Sequence, residues 1–193
     1  MITQLKGRMV EKSPTELVID CNGVGYLVNI SLNTFSQLND SENITLFTHL
    51  QVKEDSHTLF GFFEKTERNL FRKLISVSGI GASTARTMLS SLNPSEIQSA
   101  IISGNVSTIQ SVKGIGLKTA QRVIIDLKDK VSLSTENNQF IGNINNTNQD
   151  EALSALEVLG YNKKQTSRVI ETLINNSPEM SVEELIKGAL NKL

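Results

Sequence analysis

A nine-residue stretch in the middle of the chain occurs twice. Val77-Ser78-Gly79-Ile80-Gly81-Ala82-Ser83-Thr84-Ala85 returns 35 residues later as Val112-Lys113-Gly114-Ile115-Gly116-Leu117-Lys118-Thr119-Ala120, with valine, both glycines, isoleucine, threonine and alanine coincident. The flanking apolar frame is kept, Leu74 matching Ile109 and Leu92 matching Leu127. The chemistry such a stretch can perform is anion binding. The first glycine permits a tight, left-handed turn, and the second lets the main chain approach a ligand that a Cβ would obstruct. Isoleucine between them anchors the turn in the core. The residues that follow open a helix, whose unpaired amides and positive dipole end favour an anion. Two such sites can hold a phosphate backbone without reading bases.

The binding residues expected from this pattern are Gly79, Gly81, Ser83 and Thr84 in the first copy, and Lys113, Gly114, Gly116, Lys118 and Thr119 in the second. Lys118 and Arg122 lie four apart and share a helical face beside the second copy. The first copy has Ser83 where the second has Lys118, so it must rely on main-chain amides and hydroxyls. Its nearest cation is Arg86, one turn into the following helix, a position that equally suits a surface salt bridge. A Gly-Ile-Gly can also be a plain turn between packed helices; two aligned copies favour the phosphate reading. A dinucleotide-binding reading fails, because that glycine pattern must follow a strand and here follows helical periodicity.

The charge distribution supports the same segment. The formal net charge is −1, yet residues 1 to 63 hold four basic and seven acidic groups, residues 64 to 133 ten and five, and residues 134 to 193 five and eight, giving −3, +5 and −3. A basic middle between acidic ends assigns polyanion binding to one segment and other work to its neighbours.

Residues 1 to 63 show short runs of strand character: Leu17-Val18-Ile19, Tyr26 to Ile30, Ile44 to Phe47 and Leu59 to Phe63, separated by turn signals such as Lys12-Ser13-Pro14, Cys21-Asn22-Gly23 and Leu38-Asn39-Asp40. About five strands fit a small barrel, for which an OB-like form is a frequent solution. From Glu64 the period becomes helical, with patterns at 82–92, 94–103 and 117–131 and a boundary at Asn93-Pro94. The stretch Ser132 to Gln149 contains six asparagines and no lysine or arginine, and a flexible linker is expected over 134–149. Beyond it, Leu153, Leu156, Val158 and Leu159, then Val169, Ile170, Leu173 and Ile174, then Val182, Leu185, Ile186, Ala189 and Leu190 mark three amphipathic helices over 150–193, with Ser181 and Glu184 at capping-box spacing. The expected fold is thus α+β and multidomain: an OB-like β-barrel, an all-α tandem-hairpin domain, and a three-helix domain on a linker. One cysteine, Cys21, and two histidines, His49 and His57, make no metal cluster. The start of the chain shows neither a spanning segment nor a signal segment, which suits the cytoplasm.

The repeated stretch with its flanking helices resembles the helix-hairpin-helix motif of DNA-binding proteins. The order barrel, paired hairpins, linker and small helical domain is similar to the RuvA family along essentially all 193 residues. Val52-Lys53-Glu54-Asp55 before Leu59-Phe60-Gly61-Phe62 resembles the family's acidic pin, and Met1-Ile2 with Leu5-Lys6-Gly7 its opening strand. The resemblance implies a homotetramer, or an octamer of two facing tetramers, holding four-way Holliday junction DNA, with Glu54 and Asp55 at the crossover. It implies the hexameric ATPase RuvB as the partner of the last domain, the resolvase RuvC as a further partner, and no cofactor. It also implies a non-catalytic role in recombination and DNA repair.

Other readings stay open. Helix-hairpin-helix modules occur in DNA glycosylases, which have a catalytic aspartate beyond the hairpin; Asp126 and Asp129 are the nearest, and both sit among Lys128, Lys130 and Arg122. A structure-independent duplex binder would use the same hairpins. A single-strand binder using the barrel fits less well, because its aromatics do not interleave with basic residues.

Overall fold

The structure is a computed structural model that describes residues 1–39, 42–136, 144–177 and 180–193. It divides into two compact units, Met1–Thr135 and Glu136–Leu193.

In the first unit, alternation of apolar residues builds five strands: β1 (Gln4–Lys12), β2 (Glu16–Cys21), β3 (Val24–Ile30), β4 (Asn43–Val52) and β5 (His57–Phe62). They close into a barrel in the order β1-β2-β3-β5-β4, antiparallel except for β3 with β5. Leu17, Ile19, Val28, Ile30, Leu46 and Leu59 point inward to form its core. The short helix α1 (Leu32–Gln37), which periodicity did not mark, carries the chain between β3 and β4 and is capped by Ser31.

Five helices follow: α2 (Lys65–Ile75), α3 (Ala82–Ser91), α4 (Pro94–Ser103), α5 (Val106–Gln110) and α6 (Leu117–Glu136). The expected boundary at Asn93-Pro94 is a capping box, Asn93 with Glu96, and Pro94 opens α4. The barrel keeps its own core, while the end of its last strand joins a second core built by the helices. Phe60 and Phe62 of β5 are buried among the helices, with ring centroids 5.2 and 4.9 Å from Phe71 of α2.

The second unit holds α7 (Ile144–Val158), α8 (Lys163–Asn176) and α9 (Val182–Leu190), closed over Ala152, Leu156, Ile170, Leu173, Leu185 and Ala189. Ser181 and Glu184 form the expected capping box. Val158 and Leu159, which the apolar spacing assigned to the inward face, are instead exposed, at 85% and 58%. Val158 is the last residue of α7 and Leu159 follows it. Of the linker expected over 134–149, residues 137–143 lie outside the described residues, while α6 continues to Glu136 and α7 begins at Ile144. Among the described residues no helix is long and apolar enough to cross a membrane.

Candidate nucleic-acid interface

The two glycine turns are built alike. The first joins α2 to α3 and the second joins α5 to α6. Gly79 and Gly114 take φ of +95° and +90°, the left-handed conformation that L residues avoid. The amides of Ile80 and Ile115 donate to Val77 and Val112 carbonyls at 3.0 and 3.1 Å, and the amides of Ala85 and Ala120 donate to Gly81 and Gly116 carbonyls, both at 2.9 Å. Val77, Ile80, Val112 and Ile115 are buried, which pins each turn to the core. Gly79, Gly81, Gly114 and Gly116 are exposed.

The second glycine of each pair has a different reason to be glycine. Gly81 is the N-cap of α3 with an ordinary φ of −83°, and a Cβ on Gly81 or Gly116 would meet nothing within 4 Å. The protein's own packing therefore does not exclude a side chain there; an external group approaching the backbone would. Gly81 also brings no side-chain acceptor to the first amides of α3. Those amides, aimed outward at the positive end of a helix, suit a phosphate oxygen.

Ser83, Lys113 and Lys118 are exposed beside these turns, and Thr84 is half-buried. Three residues are drawn elsewhere. Arg86 donates through Nη1 to Asn29 Oδ1 at 2.7 Å and to the Thr15 carbonyl at 3.3 Å, so this part of its guanidinium is committed to the barrel and not to the first hairpin. Thr119 is half-buried with its methyl 4.0 Å from where a Gly79 Cβ would stand. Arg122, expected to serve the second hairpin, donates through Nη1 to the carbonyl of Ser78 in the first, at 3.3 Å. The start of α6 thus backs onto the first turn and makes the two hairpins neighbours.

Glu54 and Asp55 form the exposed tip of the β4–β5 hairpin. The Lys53 amide donates to the Ser56 carbonyl at 2.8 Å, and Val52 pairs with His57 at the base. The acids face solvent on a stiff two-stranded support. On the flank of the same strand, burial first and then Arg72 and Arg68 hold the His49 imidazole below its ordinary pKa.

What sequence reasoning missed lies between segments. Glu67 of α2 is fully buried, accepting from the Ser31 hydroxyl at 2.5 Å and the Thr34 hydroxyl at 2.7 Å. A charged residue within an apolar helical stripe, Glu67 beside Leu70, Phe71 and Leu74, was the available signal.

Three family models match the chain: RuvA N terminal domain over residues 1–61, SAM-like helix-hairpin-helix tandem over 71–129, and RuvA, C-terminal domain over 147–193. Curated relatives align end to end. A protein of Christiangramia forsetii is 61% identical over 193 residues and one of Flavobacterium psychrophilum 58% over 193, each with all of both chains covered. One of Bacteroides fragilis is 43% identical over 201 aligned positions, also with both chains covered in full. All three are named Holliday junction branch migration complex subunit RuvA.

Proposed function

The chain belongs to the RuvA family, and from that premise we propose that it is the DNA-binding subunit of a branch-migration complex, gripping a four-way Holliday junction for the RuvB ATPase. The observation that carries the reading is the pair of equivalent hairpins, each with a left-handed first glycine and an open second glycine. The backbone at Gly79–Thr84 and Gly114–Thr119 takes the phosphates of a duplex arm, and Lys113, Lys118 and the free side of Arg122 neutralise them. None of these groups reads a base, so the interface selects shape over sequence.

The acidic tip supplies the selection. Four copies bring the Glu54 and Asp55 pairs to the crossover, where phosphates of four arms converge, and like charge keeps the strands parted there. A continuous duplex laid across the same centre meets that repulsion with no gain. The assembly is a homotetramer, alone or facing a second, acting in the cytoplasm with RuvC on the same junction. The subunit itself performs no bond chemistry; ATP hydrolysis belongs to RuvB.

The second unit is the docking piece. Ala155, Val158, Leu159 and Ile186 line an open apolar groove edged by Glu151 and Ser154. An apolar segment of the motor covers it.

The test is a gel-shift comparison of four-way junction, linear duplex and single strand at one salt concentration. Strong preference for the junction is expected; equal binding of junction and duplex overturns the reading in favour of a general duplex binder.

A further inference from the structure

Glu67 is the one buried charged residue among the described residues, and neither hairpin nor pin uses it. Its Oε1 accepts from Ser31, its Oε2 accepts from Thr34, and both hydroxyls belong to the start of α1. The knot continues into the chain crossing. Thr34 Oγ1 accepts from the Phe63 amide at 3.1 Å, and Ser31 Oγ accepts from the Thr34 amide at 3.0 Å. So one carboxylate on α2 grips the barrel at the point where the barrel's last strand hands over to the helices.

That location matters mechanically. The pin is part of the barrel and the hairpins are part of the helical half, and the polypeptide connects them once, through Phe63-Glu64. A single crossing is a hinge unless other contacts hold its angle. Phe60 and Phe62 against Phe71 supply a pivot, but apolar contacts are non-directional. The other polar ties include the Leu32 amide donating to the Ser90 hydroxyl and arginines on main-chain or amide oxygens: Arg68 to Thr3, Arg72 to Thr48, Arg86 to Asn29 and Thr15. These lie at exposed or half-exposed positions, where water competes. The Glu67 knot is dry, and in a dry setting hydrogen bonds are stronger and their geometry more restrictive.

We propose that Glu67 is a positioning residue that sets the angle between pin and hairpins and through it the preference for a branched over a linear duplex. This rests on the junction reading above. A junction requires the acids at the crossover while both hairpins hold an arm, so it needs one angle; a linear duplex engages the hairpins alone and tolerates many. A buried carboxylate is a costly way to join two elements, since apolar side chains of similar volume are often as stabilising or more so. What it supplies in return is direction. Two oxygens satisfied by two separate hydroxyls fix the approach of α2 to α1.

The experiment compares full-length wild type with Glu67→Leu and Glu67→Gln, measuring junction and duplex affinity across a salt series, with circular dichroism and thermal melts alongside. Glu67→Leu should leave duplex affinity and its salt slope unchanged. The junction-to-duplex ratio should fall about fivefold, as follows if the junction-competent angle becomes a minor population. Glu67→Gln, whose amide can still bridge the two hydroxyls, should keep most of the ratio. A folded Glu67→Leu protein with the wild-type ratio overturns the proposal. Should leucine unfold the protein, Thr34→Val, which removes one of the two hydroxyls, must lower the ratio, and an unchanged ratio there also overturns it. A wild type without junction preference would instead refute the junction reading itself.

Discussion

Arg122 of α6 donates to the carbonyl of Ser78, at 3.3 Å, joining the second hairpin's helix to the first hairpin's turn across 44 residues of sequence. The contact ties the two glycine turns to each other. It also divides the labour of two cations that sequence spacing treats as equivalent, since Lys118 is exposed and has no such tie.

Single alanine variants should separate them. Lys118→Ala is expected to weaken binding to every DNA form and reduce the salt slope by about 1 with no change in melting temperature. Arg122→Ala should do the same and also lower the melting temperature. Salt titrations of affinity with parallel melts check both, and an unchanged slope in Lys118→Ala would remove that lysine from the interface.

The paired glycines should fail for different reasons. Gly114→Ala places a Cβ at φ +90° and should cost about 1 kcal/mol of stability from backbone strain alone. Gly116→Val has open space around it and should leave stability within about 0.5 kcal/mol while weakening DNA binding, because the new side chain stands where the phosphate approaches. Denaturant melts and gel shifts on the two variants decide this. If Gly116→Val binds DNA normally, the hairpins are only turns.

Neutralising the tip by Glu54→Gln with Asp55→Asn should raise linear-duplex affinity and lower junction selectivity. Each screened like-charge contact is worth about 1 kcal/mol or less, but eight carboxylates would gather at one centre of a tetramer. Branch-migration rate with the motor present should change as well. A variant matching wild type in all three would leave Glu54 and Asp55 as a solvated turn.

Burial raises the Glu67 carboxyl above its ordinary value of 4.5, against the lowering pull of its hydrogen bonds to Ser31 and Thr34. The native state therefore holds this proton more tightly than the unfolded chain. The contribution is fully present below pH 4.5 and is lost as pH rises through the native pKa. Relative to Glu67→Gln, wild-type stability should fall as pH increases across that window. Denaturation series at stepped pH measure it, and a constant difference from pH 4 to 8 would contradict a raised pKa.

The repeat, the basic middle segment and the helical periods were legible because each is a local signal. Glycines two apart before an amphipathic run state a turn and a helix start through residues in contact along the chain, and the structure returns them as matched hairpins with φ of +95° and +90°. Asn93 with Glu96 and Ser181 with Glu184 are local in the same way. The resemblance to the RuvA family, on which the junction and motor readings depend, also rested on such motifs taken in order.

Tertiary structure decided what depends on distant partners. Periodicity shows that a helix has an apolar face but not where its neighbours stop covering it, so Val158 and Leu159 belong to the apolar pattern and are nevertheless exposed. Glu67 interrupts an apolar helical stripe, but only folding supplies its partners Ser31 and Thr34, 36 and 33 residues away. Arg86 stood nearest the first hairpin in sequence, yet Asn29, 57 residues off, holds it. A hydrogen bond needs its partners within about 3 Å, and only barrel closure and helix packing bring residues so far apart in the chain to that separation.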